Sequence, residues 1–107
     1  MPAANFQLSL NEQEAEFAQA CKDFVSERDP ALGRSIIIEN GLLQVSASSR
    51  QAFLDHGVAR LLKVFRLAIK DKAIPLERIP TLIADLALFN EKVLNGFAVK
   101  AGNQILQ

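Results

Sequence analysis

The eight residues Ile36-Ile37-Ile38-Glu39-Asn40-Gly41-Leu42-Leu43 constrain the fold of this chain more than any other stretch, because they fit two incompatible elements. Three consecutive isoleucines are strong strand formers, and Asn-Gly between two apolar runs is the commonest signal for a two-residue hairpin turn. Yet Ile37, Ile38, Gly41, Leu42 and Val45 also recur at the spacing of one helix face, and Arg34-Ser35 ahead of them is a helix start signal. A glycine inside such a helix costs about 1 kcal/mol against alanine, so Gly41 would need a packing reason such as the close approach of a second helix. We expect a helix over residues 35–46 and keep the hairpin as its rival, since the choice decides which functional reading survives.

The flanking segments are plainer. Asn5-Phe6-Gln7-Leu8-Ser9-Leu10 alternates polar and apolar with period two, the pattern of a strand with Phe6, Leu8 and Leu10 facing in and Asn5, Gln7 and Ser9 facing out. Asn11 followed by Glu12, Glu14 and Glu16 reads as the N-cap and acidic first turn of a helix reaching about Glu27. Arg28-Asp29-Pro30-Ala31-Leu32-Gly33 carries the turn residues that break it, after which Ser35 can cap a new helix. From Ser48 or Ser49 a longer helix sets Phe53, Leu54, Val58, Leu61, Leu62, Phe65 and Ile69 against Arg60, Lys63, Arg66 and Lys70 on the opposite side. Gly57 is a candidate bend, and Ile74-Pro75 the stop. A last helix begins near Pro80 and carries Leu82, Ile83, Leu86, Leu88, Phe89, Val93, Leu94 and Phe97. Asn95-Gly96 is placed to end or kink it, leaving residues 97–107 as a short tail helix or a frayed end.

Charge and composition narrow the function. Twelve basic and twelve acidic residues cancel, which excludes a uniformly basic coat. The charge is nonetheless divided, with seven acids against three bases in residues 1–40 and most of the basic excess between Arg50 and Arg78. A single cysteine and no leader-like opening favour a reducing cytoplasm, and no apolar run approaches the roughly 20 residues that span a bilayer. Residues that carry chemistry are scarce. The lone His56 has no cysteine near it, so a zinc set is not available within one chain. Cys21 falls on a stripe with Phe17, Ala18, Phe24 and Val25, where a cysteine behaves as a small hydrophobe. The five glycines are isolated, so no phosphate-binding loop is present. We expect no enzyme: no catalytic residue, no metal and no cofactor.

With a helix over residues 35–46, the order is strand, helix, turn and a second helix opening with Gly33-Arg34-Ser35. In that order residues 5–46 resemble the ribbon-helix-helix DNA-binding family of the Arc and MetJ type. The run Gly33-Arg34-Ser35-Ile36-Ile37-Ile38-Glu39-Asn40-Gly41-Leu42 is similar to that family's second helix, in which a Ser or Thr caps, aliphatic residues pack in the dimer core and a small residue precedes a leucine. The resemblance implies that two chains pair their strands into an antiparallel ribbon lying in the DNA major groove. It implies base contacts from Asn5, Gln7 and Ser9, with Gln7 suited to adenine. It also implies phosphate contacts from Arg34, Ser35 and Ile36 at the start of the second helix.

These readings combine into a mainly α fold that is α+β by one strand. A ribbon-helix-helix unit at residues 1–46 would be followed by a helical oligomerisation region at 47–107, because a unit of about forty residues buries too little surface alone. The expected function is sequence-specific binding of double-stranded DNA by a cytoplasmic dimer or tetramer, as a repressor or a plasmid or phage accessory factor. Arg60, Lys63, Arg66 and Lys70 offer a basic face that could neutralise phosphates or simply be the solvated side of an amphipathic helix. The alternative is a small α-helical adaptor, inhibitor or immunity-like factor that binds a protein partner through the apolar and basic faces of residues 49–97, without DNA.

Overall fold

The alternating N-terminal segment forms strand β1 (Asn5–Ser9), the first element of a computed structural model that describes residues 5–97. Phe6 and Leu8 are half-buried, Gln7 and Ser9 are exposed, and Leu10 is buried just beyond the strand. Asn11 then starts α1 (Glu12–Arg28) with a reciprocal capping box: its Oδ1 accepts from the Glu14 amide at 2.8 Å, and the Glu14 carboxylate accepts from the Asn11 amide at 2.9 Å. Asp29 ends this helix and at once caps a five-residue helix α2 (Pro30–Arg34), its carboxylate accepting from the amides of Ala31 and Leu32.

Residues 35–46 are where the structure departs from expectation. They form a hairpin of β2 (Ile36–Glu39) and β3 (Leu42–Ser46), not a helix. Asn40 and Gly41 take φ of 52° and 75°, the left-handed pair that a tight two-residue hairpin turn demands and that asparagine and glycine accept most readily. Ser35, expected to cap a helix, instead closes α2, its hydroxyl donating to the Leu32 carbonyl at 2.8 Å. The hairpin prevails because β1 offers a template. β3 pairs antiparallel with both β1 and β2, in the order β1-β3-β2. The register aligns Phe6, Val45 and Ile36 in one row and Leu8, Leu43 and Ile38 in the next. Both rows turn toward the core, so period-two burial on one sheet face outweighs the helical spacing in the same letters. The second helix expected at residues 35–46 is therefore a hairpin in a three-stranded antiparallel sheet, and the described residues are otherwise mostly helical.

Helix α3 (Ala47–Ala52) begins at Ser46, whose hydroxyl accepts from the Ser49 amide, and runs without a break through a π-helical segment (Phe53–Val58) into α4 (Ala59–Lys70). Gly57 lies in that segment pressed against α1: a β-carbon there would sit 2.9 Å from Cys21 Cβ and 3.1 Å from the Cys21 carbonyl oxygen. Where the sequence marks a candidate bend at Gly57, the structure has a π-helical turn. α4 ends with Asp71 as its cap and Lys72 in the left-handed region at φ 58°. A single 3-10 turn (Leu76–Arg78) then leads into α5 (Ile79–Phe97). α5 continues through Asn95-Gly96 to Phe97, the last described residue, and Gly96 lies where a β-carbon would meet the Leu8 side chain, so it is a contact point between α5 and β1. The expected tail lies outside the described residues beyond Phe97.

One apolar cluster draws on both halves of the chain. Leu10, Phe17, Ala18, Cys21, Val25, Ile36, Leu43 and Val45 pack with Phe53, Val58, Leu86, Phe89, Val93 and Phe97. Phe97 meets Phe6 and Phe53 edge-on at 5.8 and 5.7 Å, and Phe17 meets Phe89 at 5.5 Å. The Arg50 guanidinium donates to the Phe97 carbonyl at 2.9 Å and stacks over Phe6 at 5.5 Å, which ties the end of α5 to α3 and β1.

Candidate functional site

The residues assigned to DNA do not converge. Gln7 and Ser9 do lie on the exposed sheet face, where Gln7 Nε2 donates to Gln44 Oε1 at 3.4 Å, and Asn5 pairs opposite Ser46 in the register. The phosphate set is dispersed. Arg34 is the last residue of α2, the Ser35 hydroxyl is committed to Leu32, and Ile36 is fully buried in β2. No helix starts at Ser35, so the free amides and dipole needed there are missing. β1 is also paired along one edge by β3 of its own chain.

Arg60, Lys63, Arg66 and Lys70 are all exposed on α4, but they do not serve one surface. Arg60 and Lys63 turn toward α1, with the Arg60 guanidinium 5.3 Å from the centre of the Phe24 ring. Arg66 turns the other way and lines a groove between α4 and α5.

That groove is a mainly apolar opening between the two helices. Leu62, Phe65 and Ile69 of α4 and Ile83, Leu86 and Ala87 of α5 form its walls, with Arg66 and Asn90 as the polar members, around about 360 Å³ of open space. It exists because α4 is amphipathic yet has no fully buried residue: its Leu62 and Phe65 only rest against the edge of the core. α5 buries Leu86, Phe89, Val93 and Phe97 and leaves Ile83, Leu88 and Leu94 at 49%, 61% and 49% exposure. Val64 and Leu67 on α4 and Leu76 in the connection are also exposed, Leu76 at 80%, though outside the groove lining. An apolar groove of this kind on a small domain is a recurrent mark of an interaction site. Sequence patterning assigned Leu62, Phe65, Ile69, Ile83 and Leu86 to core faces. The missed signal is that α5 carries apolar residues around more of its circumference than one buried face needs.

The rest of the chemistry is sparse. Cys21 is fully buried, and burial pushes its thiol up to about 12, against a weaker opposing backbone hydrogen bond. Among the described residues no group of His, Cys, Asp and Glu could hold a metal ion, and no helix is long and apolar enough to cross a membrane. No family model, curated protein or solved structure matches the chain.

Proposed function

We propose that this chain is a small protein-interaction module that receives an acidic amphipathic helix of a partner protein in the α4–α5 groove. The observation that carries this reading is the groove itself, an apolar trough between two helices with Arg66 on one wall. Lys70 follows Arg66 one helical turn on and is also exposed. Among the described residues neither has a carboxylate within 4.0 Å, so a partner helix bearing Glu or Asp beside its apolar face supplies both the missing apolar surface and the missing countercharge. Helix-in-groove recognition reads anchors spaced three or four residues apart, and each leucine buried from water contributes roughly 1.5–3 kcal/mol.

A designed peptide with leucines at helical spacing and glutamates elsewhere tests this directly, with a lysine-for-glutamate peptide as its control. The expected result is saturable binding of the glutamate peptide, on the order of tenfold weaker with Ile83→Glu and several-fold weaker with Arg66→Glu. Equal binding of both peptides, or no response to Ile83→Glu, would overturn it. Light scattering on the same sample identifies a second copy as the occupant if the mass doubles and Ile83→Glu restores the monomer. Double-stranded DNA is the rival ligand, since Gln7 and Ser9 sit on the open sheet face. A shifted DNA band that disappears with Gln7→Ala and Ser9→Ala but survives Ile83→Glu would return the ribbon reading.

A further inference from the structure

A second opening, independent of the groove, lies between the C-terminal half of α1, the π-helical segment and the start of α4. It encloses about 370 Å³ and is lined by Phe24, Glu27 and Arg28 from α1, and by Asp55, His56, Ala59, Arg60 and Lys63 from the other two elements. We propose that this cleft binds a small phosphomonoester, with Arg28, Arg60 and Lys63 holding the phosphate.

Two features of the cleft lead to that ligand class. Three basic side chains from two different elements face one cavity, and among the described residues none has a carboxylate within 4.0 Å. The lining carries Arg28, Arg60 and Lys63 against Glu27 and Asp55, an excess of positive charge, and a doubly charged phosphate matches two guanidinium forks and an ammonium better than a single carboxylate does. The two acids of the cleft are not spent on these cations. Asp55 accepts from Gln51 Nε2 through both oxygens at 3.0 Å, away from a pairing with Arg28 or Arg60. Glu27, on the other wall, is left as an acceptor for a hydroxyl group on the body of the ligand, which argues for a phosphorylated polyol over inorganic phosphate.

The positions are held by packing rather than by chance exposure. Gly57 lets the π-helical segment close on Cys21, and the same approach brings Phe24 and Arg28, the next turns of α1, to face His56, Arg60 and Lys63, which follow at helical steps. The stacking of Arg60 on Phe24 orients that guanidinium, so less freedom is lost when a phosphate arrives.

His56 is the only histidine of the chain, so its imidazole resonances report on this cleft without ambiguity. Ribose 5-phosphate and ribose are titrated into the full chain at fixed pH and ionic strength while those resonances are followed. Ribose 5-phosphate is expected to give a saturable shift and ribose none. Arg28→Gln and Lys63→Gln are each expected to weaken binding on the order of tenfold, and Lys70→Gln to leave it unchanged. All three positions are exposed, so circular dichroism should show the same fold in each variant. A shift that grows linearly without saturating, an equal response to ribose, or binding undiminished in both cleft variants would overturn the proposal. Ile83→Glu, which disables the groove, is expected to leave this titration untouched.

Discussion

The ammonium of Lys92 lies 2.9 Å from the carboxylate of Glu14 and 2.9 Å from the Ser9 carbonyl, joining α5 to the capping box of α1 and to the end of β1. Partial burial by itself raises the Glu14 pKa. The hydrogen bond from Lys92, the hydrogen bond from the Asn11 amide and the Lys92 charge together outweigh it and hold the carboxyl below its ordinary value. A carboxyl held lower in the folded state than in the unfolded chain stabilises the fold above the unfolded pKa and loses that contribution as pH falls through the folded one. Glu14→Gln should therefore cost about 1 kcal/mol at pH 7, given that Lys92 is partly solvated. The difference should hold down to about pH 5 and close as the solution is taken further into acid. Urea denaturation of both proteins between pH 7 and pH 3 reads it, and a constant gap across that range would remove the ion pair as its source.

Gly57→Ala is expected to destabilise by about 1–3 kcal/mol even though alanine is the better helix former, because its β-carbon would fall 2.9 Å from Cys21 Cβ and one helix must give way. A shift in the urea midpoint with unchanged slope is the expected signature. The same substitution should loosen the phosphomonoester cleft, which depends on this approach.

Cys21 should resist thiol reagents in the native protein. With its thiol pushed up to about 12, the thiolate present at pH 8 is roughly a thousandfold scarcer than for an ordinary cysteine, and the sulfur is also out of reach of solvent. Colour development with an aromatic disulfide should follow unfolding; prompt labelling of the native protein would contradict the buried placement.

Gly41→Ala should lower stability by about 1–2 kcal/mol, since φ of 75° is strained for any residue with a β-carbon, and the added carbon would also lie 3.1 Å from the Leu10 carbonyl oxygen. Asn40→Ala should cost less, because asparagine only eases its own left-handed geometry. Thermal melts of the two variants compare them, and equal melting points would argue that the tight turn is not what holds β2 to β3.

Several parts of this fold are legible from single letters. Phe6, Leu8 and Leu10 mark a one-sided strand, Asn11 and Glu14 a capped helix, and the residues around Phe53, Phe65, Phe89 and Val93 two apolar-faced helices, all because local periodicity and final burial agree there. Residues 36–45 are short enough to satisfy both periods, and only the pairing of Val45 with Phe6, nearly forty positions away, decides between them. The Asn40-Gly41 turn was the better guide than the helical spacing, since it names a backbone geometry rather than a tendency. The groove and the cleft were out of reach for a different reason. Each is made by residues of separate helices, and nothing in the spacing of Phe24 and Arg60, or of Phe65 and Ala87, says that they meet.

The place of Phe97 bears on how the chain must be made. Its ring sits against Phe6 and Phe53, and Phe89 and Val93 of the same helix occupy the core beneath the sheet. A chain still on the ribosome can form the capped helix and the β2–β3 hairpin early, but it shows the inner row of Phe6, Val45 and Ile36 to water until the last turn of α5 has emerged. A chain cut before residue 97 would lack the ring that closes over Phe6 and Phe53, so α5 is a structural part of the core and not an appendage to it.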